Sequence, residues 1–79
     1  MKRLMILLLL AISLFAKVDI NKASLKELQS LKGIGMSKAM AIVSFRKMHK
    51  FKSIEDITKV KGIGKKLFAK IKDQVEVKK

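Results

Sequence analysis

Leu31-Lys32-Gly33-Ile34-Gly35 returns further along the chain as Val60-Lys61-Gly62-Ile63-Gly64, and this pair of stretches decides the fold. Each copy is an apolar residue, a lysine and Gly-Ile-Gly, and each leads into a segment whose apolar residues have helical spacing. A Gly-x-Gly turn that opens a helix leaves bare backbone N–H groups at the positive end of the helix dipole, where a phosphate binds. The first glycine of each copy is explained by geometry alone, because a helix ends cheaply on a left-handed glycine. The second glycine is not. At Gly35 and Gly64 the missing side chain lets a ligand approach the N–H groups that follow. Neither copy is a P-loop, since no Gly-Lys-Ser/Thr follows at the required spacing, and neither follows a strand as the dinucleotide fingerprint demands.

Outward from the first turn, Ser24-Leu25-Lys26-Glu27 is a capping box, and Leu25, Leu28 and Leu31 line one face of a short helix. Met36 to about Met48 is helical again, with Ala39, Ile42, Val43 and Arg46 on one face and Met36 and Met40 beside it. Phe45 has no secure place in this pattern. His49-Lys50 breaks it, and Phe51 is expected to fold back onto the core. Ser53-Ile54-Glu55-Asp56 is a second capping box with Asp in place of Glu, and Ile54, Ile57 and Val60 repeat the spacing of the three leucines. Lys65 to about Asp73 forms the last helix, with Leu67, Phe68 and Ile71 apolar.

The whole unit therefore repeats. Laying Ala23–Ile42 on Lys52–Ile71 without gaps pairs Ser24 with Ser53, Leu28 with Ile57, Leu31 with Val60 and Ile42 with Ile71. Two copies are too few for a solenoid. The expected fold is all-α: a compact four-helix domain in which two helix–hairpin–helix units, about 23–48 and 52–73, face each other across a pseudo-two-fold axis. Neither unit can bury its apolar face alone; paired, they share one core.

The ends differ in character. Met1-Lys2-Arg3 followed by an almost unbroken apolar run from Leu4 to Phe15 reads as a signal peptide of residues 1–16, cut after Ala16 with Leu14 at the −3 position. The run is short of the roughly 20 residues that span a bilayer; an uncleaved inner-membrane anchor is the alternative. The folded domain is assigned to 17–74, with Lys17–Lys22 as a polar lead-in. Residues 75–79 form a basic tail, expected to fray although Val75 and Val77 could pack.

Nineteen basic residues stand against six acidic ones, a formal charge of +13, and removal of Lys2 and Arg3 with the leader leaves +11. That balance points to a polyanionic partner, nucleic acid before anionic membrane. His49 is the only histidine, cysteine is absent, and the carboxylates are scattered or used as caps, so no nucleophile–base pair or metal cluster is visible. The chain reads as a non-enzyme without cofactor or small-molecule substrate, and His49 as a loop residue suited to positive φ. Lys32 and Lys61 precede the turns, while Lys38, Lys65 and Lys66 crowd the starts of the helices that follow. Cations there oppose the helix dipole, and an anionic ligand would relieve them. Phe45, Phe51 and Phe68 are the only aromatics after the leader and are needed for the core, which speaks against single-strand platforms. Sequence-independent binding to a duplex through its phosphates remains.

Asn21-x-Ala23-Ser24, the Leu-x-x-Leu-x-Gly-Ile-Gly run over 28–35, Phe51-x-Ser53-x-x-Asp56 and Val60-x-Gly62-Ile63-Gly64 resemble the helix–hairpin–helix domain of ComEA-type competence proteins. The resemblance covers about Val18 to Ile71. It implies a non-specific receptor for double-stranded DNA in natural transformation, working in the periplasm, with inner-membrane channel or pilus components as further partners and oligomerisation on DNA open. It also implies that the phosphate-contacting turns are Gly33–Gly35 and Gly62–Gly64 with the lysines beside them. The expected DNA-binding residues are Lys32, Gly33, Ile34, Gly35, Met36, Ser37, Lys38, Lys61, Gly62, Ile63, Gly64, Lys65 and Lys66, gripping phosphates across the minor groove. Three features depart from the family. Lys32 and Lys61 stand where proline is frequent, no glycine is found near His49, and the long anchored N-terminal region of Gram-positive members is missing. The rival reading is a helix–hairpin–helix module that docks onto a DNA-uptake or envelope complex through protein contacts.

Overall fold

The computed structural model describes residues 17–78. The expected leader, residues 1–16, and its cut lie outside the described residues. The order of elements is β1 (Val18–Asp19), α1 (Leu25–Gln29), α2 (Met36–Met48), the 3-10 helix η1 (Ile54–Lys59), α3 (Lys65–Ile71) and β2 (Val75–Glu76). Among the described residues, no helix is long and apolar enough to cross a membrane.

Helix α1 starts as its sequence dictates. The Ser24 hydroxyl accepts the Glu27 N–H at 3.1 Å, and the Glu27 carboxylate accepts the Ser24 N–H at 3.1 Å. These reciprocal bonds satisfy two donors that the first helical turn leaves open. The helix packs on α2, while η1 packs on α3, so each unit is a hairpin of two elements.

The four expected helices are present among the described residues, but the second unit opens with a 3-10 helix and not with an α-helix. The Asp56 N–H bonds the Ser53 carbonyl and the Val60 N–H bonds the Ile57 carbonyl, both at 3.1 Å and both one residue tighter than in an α-helix. Ile54, Ile57, Thr58 and Val60 are β-branched and stiff at χ1, which weakens the preference for an α-helix. A spacing of three also matches the 3-10 repeat, so Ile54, Ile57 and Val60 stack on one side without drift. Asp56 still caps: its carboxylate accepts the N–H groups of Lys52 at 2.8 Å and Ser53 at 3.3 Å. The Lys52 N–H, foremost among these contacts, holds the Asp56 carboxyl below its ordinary value.

The equivalent positions meet in one core. Leu28, Leu31, Ile34 and Ile42 of the first unit and Ile57, Val60, Ile63 and Ile71 of the second are all buried, together with Ala39, Phe51, Ile20, Ala23 and Val75. The pseudo-symmetric all-α arrangement therefore holds for the body of the fold.

Its ends are tied together, which corrects the reading of a polar lead-in and a frayed tail. Strands β1 and β2 run parallel, with Val18 opposite Val75 and Asp19 opposite Glu76. The Val18 N–H donates to the Gln74 carbonyl at 2.8 Å and the Ile20 N–H to the Glu76 carbonyl at 3.2 Å. Ile20 and Val75 are sealed in the core, and Val77 packs against it. Next in sequence, the Asn21 amide grips the backbone of Phe51: Nδ2 donates to the Phe51 carbonyl and Oδ1 accepts the Phe51 N–H, each at 2.9 Å. Arg46 completes this junction by donating from Nη1 to the Ile20 carbonyl at 3.1 Å.

The α2–η1 connector also differs from expectation. His49 has φ −142° and ψ 114°, extended rather than left-handed, and its N–H still bonds the Phe45 carbonyl at 2.9 Å. An extended backbone is open to any residue, so the turn needs no glycine there. Phe45, unplaced by the sequence, is half-buried and stacks on Phe51 with ring centroids 5.2 Å apart and planes 18° apart.

Candidate functional site

Both Gly-Ile-Gly stretches fold into the same turn. The Ile34 N–H bonds the Leu31 carbonyl at 3.1 Å, and the Ile63 N–H bonds the Val60 carbonyl at 3.0 Å. Gly33 has φ +82° and Gly62 has φ +92°, while no other described residue has positive φ. A left-handed residue at the third position with an ordinary residue before it defines a type II turn, whose second position is Lys32 or Lys61. The second position is where proline often sits, so the lysines are compatible with the turn but do not stiffen it.

Each turn ends in the N-cap of the following helix. Gly35 (φ −92°, ψ −169°) and Gly64 (φ −101°, ψ −172°) are extended and offer no side-chain cap. Their carbonyls accept the first helical bonds, from the Ala39 N–H at 2.9 Å and the Phe68 N–H at 3.0 Å. An added methyl at either glycine would meet no atom within 4 Å. Neither conformation nor packing inside the chain demands glycine at these two positions.

The other candidate residues divide cleanly. Ile34 and Ile63 send their side chains into the core, so only their backbone is left for the surface. Lys32, Lys61, Lys65 and Lys66 are exposed, as are Met36 and Ser37. Lys38 is half-buried and reaches across to the other unit: an added methyl at Gly62 would lie 3.8 Å from its Cγ and Cε. Ser37, Lys38, Ala41, Lys61 and Gly62 thus line one depression of about 320 Å³. The pseudo-symmetric counterpart of Lys38 is Leu67, and an added methyl at Gly33 would come within 2.8 Å of its Cδ1. The repeat therefore places a cation against the second turn and a hydrocarbon against the first. Aligning the repeats pairs Lys38 with Leu67, so this asymmetry was within reach of the sequence; that each side chain crosses to the opposite turn was not.

A family profile described as a helix-hairpin-helix motif matches residues 14–76. The "ComE operon protein 1" of Bacillus subtilis (strain 168) is 55% identical over 64 residues, which are 80% of this chain and 31% of that protein. An "Uncharacterized protein" of Haemophilus influenzae is 44% identical over 61 residues, 75% of this chain and 54% of that protein. The human "Endonuclease/exonuclease/phosphatase family domain-containing protein 1" is 36% identical over 66 residues, 82% of this chain but 12% of that protein. The chain spans less than two thirds of each of these relatives. With the motif matched across nearly all the described residues and both turns built alike, the chain belongs to the helix–hairpin–helix family, in a ComEA-like form.

Proposed function

We propose that this protein binds double-stranded DNA without regard to sequence, through backbone phosphates held at the two type II turns. The observation that carries the reading is the freedom at Gly35 and Gly64. Glycine is present at both helix starts although neither backbone conformation nor packing requires it there. Bare N–H groups beside exposed lysines suit an approaching phosphate. Two such ends on one symmetric unit suit a polymer of phosphates, with Gly33, Gly35, Gly62 and Gly64 giving access and Lys32, Lys38, Lys61, Lys65 and Lys66 giving charge. The reading is one of binding and not of catalysis.

In the cell, we propose, the protein is exported by its leader to the periplasm and holds incoming DNA for uptake in natural transformation. The similarity to a ComE operon protein supports this role. The direct test is a gel shift with random-sequence duplex at low salt. If about four to six phosphates are neutralised, log affinity falls against log salt with a slope of about −4 to −5. No binding at low salt overturns the proposal. Deleting the protein should abolish accumulation of labelled DNA outside the inner membrane. A variant that no longer binds DNA yet restores uptake would instead favour docking onto the uptake machinery.

A further inference from the structure

We infer that the α2–η1 connector, Lys50-Phe51-Lys52, forms a second nucleic-acid site, one that takes a single strand with an unstacked base. The connector lies at the opposite end of α2 from the first turn. Thirteen helical residues at 1.5 Å each place about 20 Å between them. The site is independent of the turns and of the duplex reading built on them.

The connector is preorganised. Phe51 is buried, and the Asn21 amide holds both its N–H and its carbonyl. Lys50 and Lys52, fixed on either side of this anchor, are both exposed, and neither makes an ion pair among the described residues. Each lines two hollows. One, of about 620 Å³, is shared with Phe45, Met48 and His49; the other, of about 480 Å³, is shared with Lys22 and Lys78. The result is a short basic track with a roomy, ring-lined hollow at one end.

The rings form a stair from the core to the surface. Buried Phe51 stacks on half-buried Phe45, whose centroid lies 5.7 Å from exposed His49 with planes 48° apart. Aromatic faces backed by cations are what single-strand sites use, because every base has a face to stack. In a duplex the bases are hidden, and the hollow would go unfilled. The one carboxylate in the hollow keeps its charge, but that charge is partly offset. Asp56 is occupied by the N–H groups of Lys52 and Ser53 and by Lys59 Nζ at 3.3 Å. Phe45 has no secure place in the helical pattern, which reserves the phenylalanines for the core; its half-exposure is what makes the site.

The test compares two probes on the full chain at low salt: an oligothymidylate of about eight nucleotides, within the size range of such sites, and a random-sequence duplex. Lys50→Gln with Lys52→Gln should weaken the oligothymidylate at least about fivefold and the duplex by less than about twofold. Lys65→Gln with Lys66→Gln should do the reverse. His49→Ala, at an exposed side chain outside the core, should weaken only the oligothymidylate. Unchanged oligothymidylate binding in the connector variant overturns the inference. So does an equal loss of both probes in either double variant, which would mean one shared surface. Failure of duplex binding alone refutes the turn proposal and leaves the connector site standing.

Discussion

The two halves of this protein share one plan and build it differently. In the first, α1 is an α-helix opened by a Ser24–Glu27 capping box; in the second, η1 is a 3-10 helix opened by a Ser53–Asp56 one. Helix α2 has 13 residues and α3 has 7, so the first half carries the longer of the two helices that follow the turns. The turns show the divergence most sharply. Gly33 is pressed by Leu67, whereas Gly62 is overlain by the Lys38 stem. Two positions related by the pseudo-two-fold axis thus carry packing in one half and charge in the other. Symmetry of backbone with asymmetry of side chain lets one turn be locked into the core while the other faces a basic depression.

Replacing the paired first glycines should break that comparison with the largest effect. Gly33→Ala must adopt a left-handed conformation that costs an L-residue about 1–2 kcal/mol. It must also push the Leu67 side-chain tip aside, adding up to about 1 kcal/mol of overpacking. Gly62→Ala meets only the first cost, since the Lys38 stem lies at ordinary contact distance. Urea unfolding should therefore show Gly33→Ala as the less stable of the two. Adding Leu67→Ala to Gly33→Ala should cost less than the two separate losses summed, because the clash is then gone. Equal destabilisation by both glycine variants would mean that the turns are packed alike.

A smaller effect on stability, with a larger one on binding, is expected at the second glycines. Serine is at least as good an N-cap as glycine, so Gly35→Ser and Gly64→Ser should leave the unfolding midpoint unchanged or raise stability by about 0.5 kcal/mol. Each should nonetheless weaken duplex DNA several-fold by standing over the N–H groups that a phosphate would reach. The greater loss is expected at Gly64, next to Lys61, Lys65 and Lys66. Intact binding in both variants would return these glycines to mere turn-making.

Much of this was legible in the sequence because it is local or periodic. Ser24 and Glu27 announce a cap, leucines at spacings of three announce a face, and a glycine after a helix announces its end. The gapless repeat then forces the two faces together, which is why Leu28 and Ile57 could be paired before their burial was seen. What escaped is short or long-range. Two-residue strands have no period to detect, so the ladder joining Val18 to Val75 stayed hidden. The Asn21 grip on Phe51 spans the junction between repeats and leaves no mark beyond one polar residue. The 3-10 form of η1 was hinted at by its β-branched residues, yet the same spacing of three also suits one or two turns of α-helix. The turns as a site were readable; the crossing of Lys38 to the opposite turn needed the packing.

The smallest expected effect lies in the caps, where the halves again differ. The carboxyl of Asp56 sits below its ordinary value of 3.8, chiefly because the Lys52 N–H bonds the charged form. With the lower value in the folded state, the unfolded chain binds more protons between the two values, and stability rises with pH through that window. The contribution is fully present above the ordinary value and is lost as the pH falls through the folded one. Asp56→Asn removes the charge that these N–H groups favour, so its melting temperature should lie below that of the parent at pH 7. The two curves should draw together on acidification below about pH 4, once the parent aspartate takes up its proton. Lysine at 59 adds little to this, being an exposed partner of a surface pair. A constant gap between the two proteins down to pH 2 would mean that Asp56 acts through its shape and not its charge, and that η1 is held by packing on α3 alone.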